Sequence, residues 1–521
     1  MNSNYDMTVM SENGEEKKYS VNVVGLFMYK ENKCAFDSVN AFVKEYANNK
    51  HDFNECYGTY RLSMQQNNGE KVFFSDNSGM MRFYINTDNN HFYHSLREAQ
   101  PYEKRKPNYS SIAQFLNYGC DYNGATIVES VVLSDPNFYY VLNNEQIQKK
   151  SKELKTLQDY EKNKVSLNSL VIKALSHCEG KKGCTITGGI DSRSVLSNLL
   201  SVNARPELAI TGNEKHPDVE IAQEISSMVG LNLNIVSDDI EEEEWLDYAV
   251  DAADGQDGIC EIYRLDKLAR FLNKNDIALQ FGGVAGEMYK NSFINQDFPI
   301  YFGRPKWYRF YKYKVGTYEF DRVLFTDKML SYLDKLPENI VNWLKTHTGE
   351  NKADAYLNAG YEIMQARCNH VINMFERYTT VYNPLMERRM AAYAFGENPY
   401  KLEMQAFQRS EVSRHCKKMQ NIKTDRGLTC NYNRRAIEFI KSYLFLVRVA
   451  LQRLLFRKKE DMRIDNCFIT GHKNESFINA LEKTKTLGII NKDIEIEKIP
   501  IGLADRLFTI GLFFDTVDEK S

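Results

Sequence analysis

The residues best placed to do chemistry are Thr187, Gly188, Gly189, Asp191 and Ser192, which stand together in CTITGGIDSRSVL, residues 184–196. A short apolar strand runs into paired glycines, and a helical pattern follows at once. Two glycines let backbone approach an anion closely, and a helix start offers unbonded N–H groups at the positive end of its dipole. Thr187 and Ser192 add hydroxyls. A carboxylate repels a bare phosphate, so Asp191 points to a divalent cation, Mg²⁺, between it and a polyphosphate. The loop lacks the Gly-Lys-Ser/Thr ending of a Walker loop, and it is not Gly-x-Gly-x-x-Gly. A plain strand–helix turn has no need of Asp191-Ser192 beside its glycines.

Such a loop needs a strand before it, a helix after it and neighbours that complete the site. Between about 165 and 285, the strand patterns CTIT, ELAIT, LNIVS and IALQF alternate with the helical patterns VSLNSLVIKALSHC, SVLSNLLSV and VEIAQEISSMVG. That alternation predicts βαβ units and a parallel sheet, hence an α/β fold. Residues 1–150 read as β-rich, with VNVVGLFMY, GTYRLSMQQ, KVFFSD and MRFYIN separated by turn formers such as Asn67-Asn68-Gly69. The charged stretch 144–164 predicts a connecting helix or linker. From about 290 to 435 the helical period dominates, and the aromatic stretch 301–313 is expected in the core, the alternative being a surface for sugar rings or a lipid headgroup. The expected division is 1–150, 151–435 and a C-terminal extension, 436–521. Between Arg434 and Arg463 that extension carries nine Lys/Arg against three acids along a continuous apolar stripe. Such a helix usually buries its stripe against its own domain; the alternative is peripheral membrane contact through residues 436–460.

Composition bounds the rest. At roughly 150 residues per domain, 521 residues make several units, and 43% apolar with 26% charged residues is the balance of a soluble globular protein. Lys+Arg 67 against Asp+Glu 70 gives −3, so no basic field invites nucleic acid. The polar start has no secretory h-region, and no apolar run reaches the length of a spanning helix, which makes a cytoplasmic location the expectation. The ten cysteines form no C-x-x-C pair, so they read as free thiols. The run Glu241 to Glu244 reads as a solvated helix start.

Thr-Gly-Gly-x-Asp-Ser after a strand resembles the pyrophosphate loop of ATP pyrophosphatases, and its surroundings resemble the synthetase domain of the asparagine synthetase family. Asp218 to Ala222 resembles that family's Asp-x-x-x-Ala helix. Gly282 to Met288 falls where the family has its second loop, Pro384 to Glu387 resembles its Pro-Phe-Leu-Asp segment, and Lys423 to Gly427 falls at its late lysine loop. Tyr57-Gly58-Thr59-Tyr60, Asp76 to Gly79 and Arg82-Phe83-Tyr84 look like the glutaminase-type domain. The resemblance implies an Ntn-hydrolase-like N-terminal domain, a PP-loop domain of the adenine nucleotide alpha hydrolase kind, and a helical C-terminal part. It implies ATP held by Thr185, Thr187, Gly188, Gly189, Asp191, Ser192, Arg193 and Gly282, with Mg²⁺ on Asp191 and Glu287. Lys423, Arg426 and Glu287 then take the catalytic roles, and Arg193 contacts phosphate or substrate.

Departures shape the expected activity. A working glutaminase of this type has Cys at residue 2; here Asn2 stands there and Cys34 is the earliest thiol. This is similar to β-lactam synthetases, lasso-peptide cyclases and the polysaccharide-associated members. Gly286 replaces an acid of the second loop, Gly283 stands where relatives have a dyad residue, and Thr380 falls near that dyad's second acid. The implied activity is AMP-forming amide ligation of a small-molecule, glycan or peptide carboxylate to ammonia or an amine. A degenerate scaffold is the other expectation.

Overall fold

The computed structural model describes residues 2–161, 165–238, 245–316, 321–456, 475–495 and 499–515. Glu241 to Glu244, and the part of the basic segment beyond Phe456 that precedes Glu475, lie outside the described residues.

The fold is mixed α/β, with an antiparallel β-rich N-terminal region and a five-stranded parallel sheet followed by helices. Six antiparallel strands run in the order Asn2–Met10, Glu16–Gly25, Tyr60–Gln66, Lys71–Ser75, Phe138–Asn143 and Gln146–Ser151. Along Glu16–Gly25 the residues Tyr19, Val21 and Val23 alternate inward. They pack with Phe42 and Val43 of the helix Ala35–Ala47 over the inner face of the sheet. A second sheet orders His91–Tyr93, Tyr84–Asn86 and Val131–Leu133.

A connecting helix or linker was expected over 144–164; Gln146–Ser151 is instead an edge strand, and 152–161 is irregular. Asn144 and Glu145 both hold positive φ, 47° and 62°, which is the two-residue turn that folds a strand straight back. The lysines that suggest a helix surface, Lys149 and Lys150, instead face solvent along the edge.

The parallel sheet contains Lys181–Thr185, Glu207–Thr211, Leu233–Val236, Ile277–Phe281 and Thr380–Tyr382. Numbered in chain order, its strands lie 3-2-1-4-5, all parallel. Strand order therefore reverses between the first and fourth strands, where their carboxyl ends leave a crevice. The fifth strand, three residues inside a helical stretch, carries too little pattern to be read beforehand.

The C-terminal part is not an appendage. The helices Glu475–Thr486 and Ile501–Phe514 pack closely enough that a Cβ on Gly511 would lie 1.9 Å from the Ala480 carbonyl oxygen. Arg506 donates to the Leu116 carbonyl (2.8 Å) and Thr509 accepts from Ile259 N–H (3.1 Å), so this pair fastens the N-terminal region to the parallel-sheet region.

Candidate functional site

After Thr185 the chain turns through Gly188 and Gly189 into the helix Ile190–Ser201. Thr187 N–H donates to Ser192 Oγ (3.1 Å), and Gly189 N–H donates to Thr187 Oγ1 (3.3 Å), so the loop closes on its own hydroxyls. Gly188 N–H donates to Asp218 Oδ1 (3.1 Å); a Cβ at Gly188 would lie 2.3 Å from that oxygen, which is why glycine is required. Asp218, a first-turn acid of the helix Pro217–Val229, thus holds the loop in place. No side chain caps the helix at Gly189, and Thr187 before it is exposed, so the uncapped helix start lies next to an exposed residue.

The loop after the fourth strand lies against this helix start. A Cβ on Gly283 would sit 2.7 Å from Ser192 N, and one on Gly286 would sit 2.1 Å from Asp191 Cγ. Ala285 adopts a left-handed φ of 69°, a strained choice for a residue with a Cβ, and leads into the short turn Gly286–Tyr289. Tyr289 anchors that turn: its hydroxyl donates to the Leu385 carbonyl (2.7 Å) and its ring stacks on Phe407 at 4.8 Å. The anchor delivers Lys290, whose ammonium is paired with Asp191 Oδ2 and stands 3.9 Å from Glu287 Oε1. Gln408, from the helix Ala406–His415, donates to Asp191 Oδ1 and to the Gly286 carbonyl (2.9 Å).

Burial raises Asp191 to about 6; Lys290 opposes the shift and Glu287 adds to it. Burial works against the Lys290 ammonium, but Asp191 and Glu287 outweigh it and hold its pKa above the ordinary lysine value. The pair is therefore charged at neutral pH.

No protein-family model and no curated protein matches the chain.

The carboxylate expected to hold Mg²⁺, Asp191, is paired here with a lysine. Both Asp191 oxygens already accept protein donors, and the close approach of Gly286 leaves no room for a second carboxylate. Among the described residues no group of three or more His, Cys, Asp or Glu side chains could hold a metal ion. Glu287 stays 42% exposed at the rim. Lys290, which no motif singled out, places a positive charge beside Asp191.

Arg193 is the clearest correction to the expected set. It is fully buried, donating to the carbonyls of Gly188 (3.0 Å), Lys423 (2.8 Å) and Ile422 (2.8 Å), so it contacts neither solvent nor a ligand. Its planar fork suits several carbonyls at once, and it ties the late lysine loop to the glycine loop. Asp425 N–H reinforces the tie on Gly188 O (3.3 Å). Within the late loop, Thr424 N–H reaches Leu428 O (2.7 Å) across a turn that needs Gly427 at φ 70°. Lys423 and Arg426 are exposed beside the site.

Other expected residues serve the frame. The Thr185 hydroxyl donates to the Phe281 carbonyl (3.2 Å), joining the first and fourth strands, and Ser192 faces inward. Cys34 is half-buried, and its Sγ accepts from Asp37 N–H at the start of a helix. Thr380 opens the fifth strand opposite Leu279, short of the strand end, so it does not meet Gly283. Asn383, just past that strand, went unrecognised. It is 2% exposed, neither side-chain polar atom has a hydrogen-bond partner, and a Cβ on Gly282 would lie 2.3 Å from its Oδ1. A buried amide with no partner is costly unless something enters to meet it.

Proposed function

We propose that this chain is an ATP-dependent, AMP-forming amide ligase of the asparagine synthetase kind, without glutaminase chemistry of its own. One observation carries the reading: Thr187–Arg193, Gly282–Lys290 and Ile422–Arg426, far apart in sequence, converge at the strand ends where the parallel sheet reverses order. The ATP phosphates lie against the uncapped helix start, with Lys290 beside them and Lys423 and Arg426 at the rim. A substrate carboxylate oxygen attacks the α-phosphorus, and the bond to pyrophosphate breaks. The fixed amides and ammonium groups stabilise the departing charge. Ammonia or an amine then attacks the acyl carbon, and AMP leaves with the carbon–oxygen bond pair. The substrate is a small-molecule, glycan or peptide carboxylate, and the missing thiol at Asn2 means the nitrogen comes from elsewhere. Mg²⁺, expected on Asp191 and Glu287, would add charge neutralisation at the departing pyrophosphate.

One observation favours the scaffold alternative. Gly283 is pressed onto Ser192 N, so no acid can stand there to assist amide formation.

Substrate-dependent ATP–pyrophosphate exchange tests the proposal. With a pool of carboxylates, exchange is expected from the native chain. Asp191→Ala and Lys290→Met should each reduce it about a hundredfold or more. No exchange together with no ATP binding leaves the scaffold.

A further inference from the structure

Soluble proteins scatter their exposed apolar side chains and rarely gather them. Here ten of the seventeen large apolar side chains exposed among the described residues fall in three neighbouring stretches, around Ile300–Tyr313, Tyr400 and Ile437–Val447. Phe302 is 79% exposed and Tyr308 65%, although this aromatic stretch was expected in the core. The helix Arg435–Phe456 repeats the surprise. Ile437, Ile440, Leu444 and Val447 follow helical spacing along one stripe, and that stripe faces solvent, with Leu444 64% exposed.

The stretches adjoin. Phe298 packs on Tyr443 at 4.3 Å and on Phe439 at 5.9 Å, while Tyr301 and Tyr443 both donate their hydroxyls to Glu403. The helix therefore docks by its Phe439–Tyr443 side, which turns the apolar stripe outward.

Charge identifies the occupant. Residues 301–316 hold five Lys/Arg and no acid, and Arg304, Lys306 and Lys312 are exposed between the aromatic rings. In the described helix the one acid, Glu438, is buried against Thr429 and Lys441, while Arg448 is exposed. Apolar and aromatic side chains interleaved with cations suit the boundary of an anionic lipid layer, where rings and aliphatic groups enter the acyl edge and cations meet headgroup phosphates. No described helix is long and apolar enough to cross a membrane.

We infer that the surface formed by Phe302–Tyr313 and the outer stripe of Arg435–Phe456 docks the protein flat onto an anionic membrane. This is independent of the chemistry proposed at the strand ends.

Vesicle flotation of the full chain tests it. The chain should float with phosphatidylcholine vesicles that contain phosphatidylglycerol, not with phosphatidylcholine alone, and high salt should release it. The double substitution Ile440→Glu with Leu444→Glu should weaken binding about tenfold or more. Phe302→Ser with Tyr308→Ser should weaken it several-fold while leaving the thermal melt in place. No flotation with the anionic vesicles, or equal flotation of both double variants, overturns the inference. A concentration-dependent dimer that both variants dissociate, without vesicle binding, assigns the face to a second copy and overturns it too.

Discussion

Asp191 and Glu387 are both buried carboxylates lying beyond strands of the parallel sheet, and the protein treats them in opposite ways. Asp191 is paired with a lysine beside an uncapped helix end, and it is charged at neutral pH. Glu387 sits at the seam with the N-terminal region, where burial lifts it to about 8; it accepts from Gly58 N–H (2.6 Å) and the Tyr382 hydroxyl (3.1 Å). It is therefore neutral at pH 7. The hollow of about 400 Å³ near Asn2 follows the seam's pattern: burial takes Arg61 down to about 10 and His94 to about 4, and lifts Glu376 to about 7. Arg61 also donates to the His94 carbonyl (3.0 Å). Polar groups along the seam act as internal fasteners, whereas at the strand ends they remain charged. The contrast separates a carboxylate kept neutral by packing from one kept charged beside a lysine.

Three substitutions test that contrast. The largest effect belongs to Arg193, which is a fastener within the candidate site. Arg193→Met removes three hydrogen bonds, to the carbonyls of Gly188, Ile422 and Lys423, and should cost about 4 kcal/mol in urea unfolding. A cost below about 1 kcal/mol would mean the loop tie is not structural.

Next comes Glu387. Its folded pKa lies above the ordinary 4.5, so the native state holds an extra proton between 4.5 and about 8. The stability it contributes is full below 4.5 and is lost as pH rises toward 8, at about 1.4 kcal/mol per pH unit, or about 3.4 kcal/mol by pH 7. Glu387→Gln should flatten the fall in Tm across that window, most clearly above pH 6, where Asp191 no longer titrates. An unchanged slope would remove the neutral-acid account of the seam.

The smallest effect is at Asp191, where the same sign applies over a narrower window, from 3.8 to about 6. Its stability contribution is likewise present below that window and lost as pH rises through it. Asp191→Asn should flatten the fall in stability across that window, about 3 kcal/mol from the shift alone and less once Lys290 is left unpaired. If both variants flatten the same window, the two regions are not electrostatically distinct.

How far the sequence reaches is visible in particular residues. The strands CTIT, ELAIT, LNIVS and IALQF and the helices between them were legible, because burial on both faces of a parallel sheet writes unbroken apolar runs. The glycine loop was legible because glycine pairs and a following acid are uncommon in a plain turn. Gln146–Ser151 was misread because two residues at positive φ outweighed a helix-favouring composition. Arg193 reads as a ligand contact from its place in the motif, and only the arrival of Ile422 and Lys423 turns it into a strut. Lys290 and Asn383 follow no motif spacing, and a contact between Lys290 and Asp191 across ninety-nine positions leaves no local trace.

What the sequence determined by itself was the alternation of strands and helices and the glycine loop with its acid. These follow from local backbone preference and from which side chains are present. Only the tertiary structure decided that Asp191 pairs with a lysine, that Arg193 is buried, and that the stripe of Arg435–Phe456 faces outward. Each depends on what packs across the chain, and burial rather than residue type sets whether a charge binds, fastens or stays exposed.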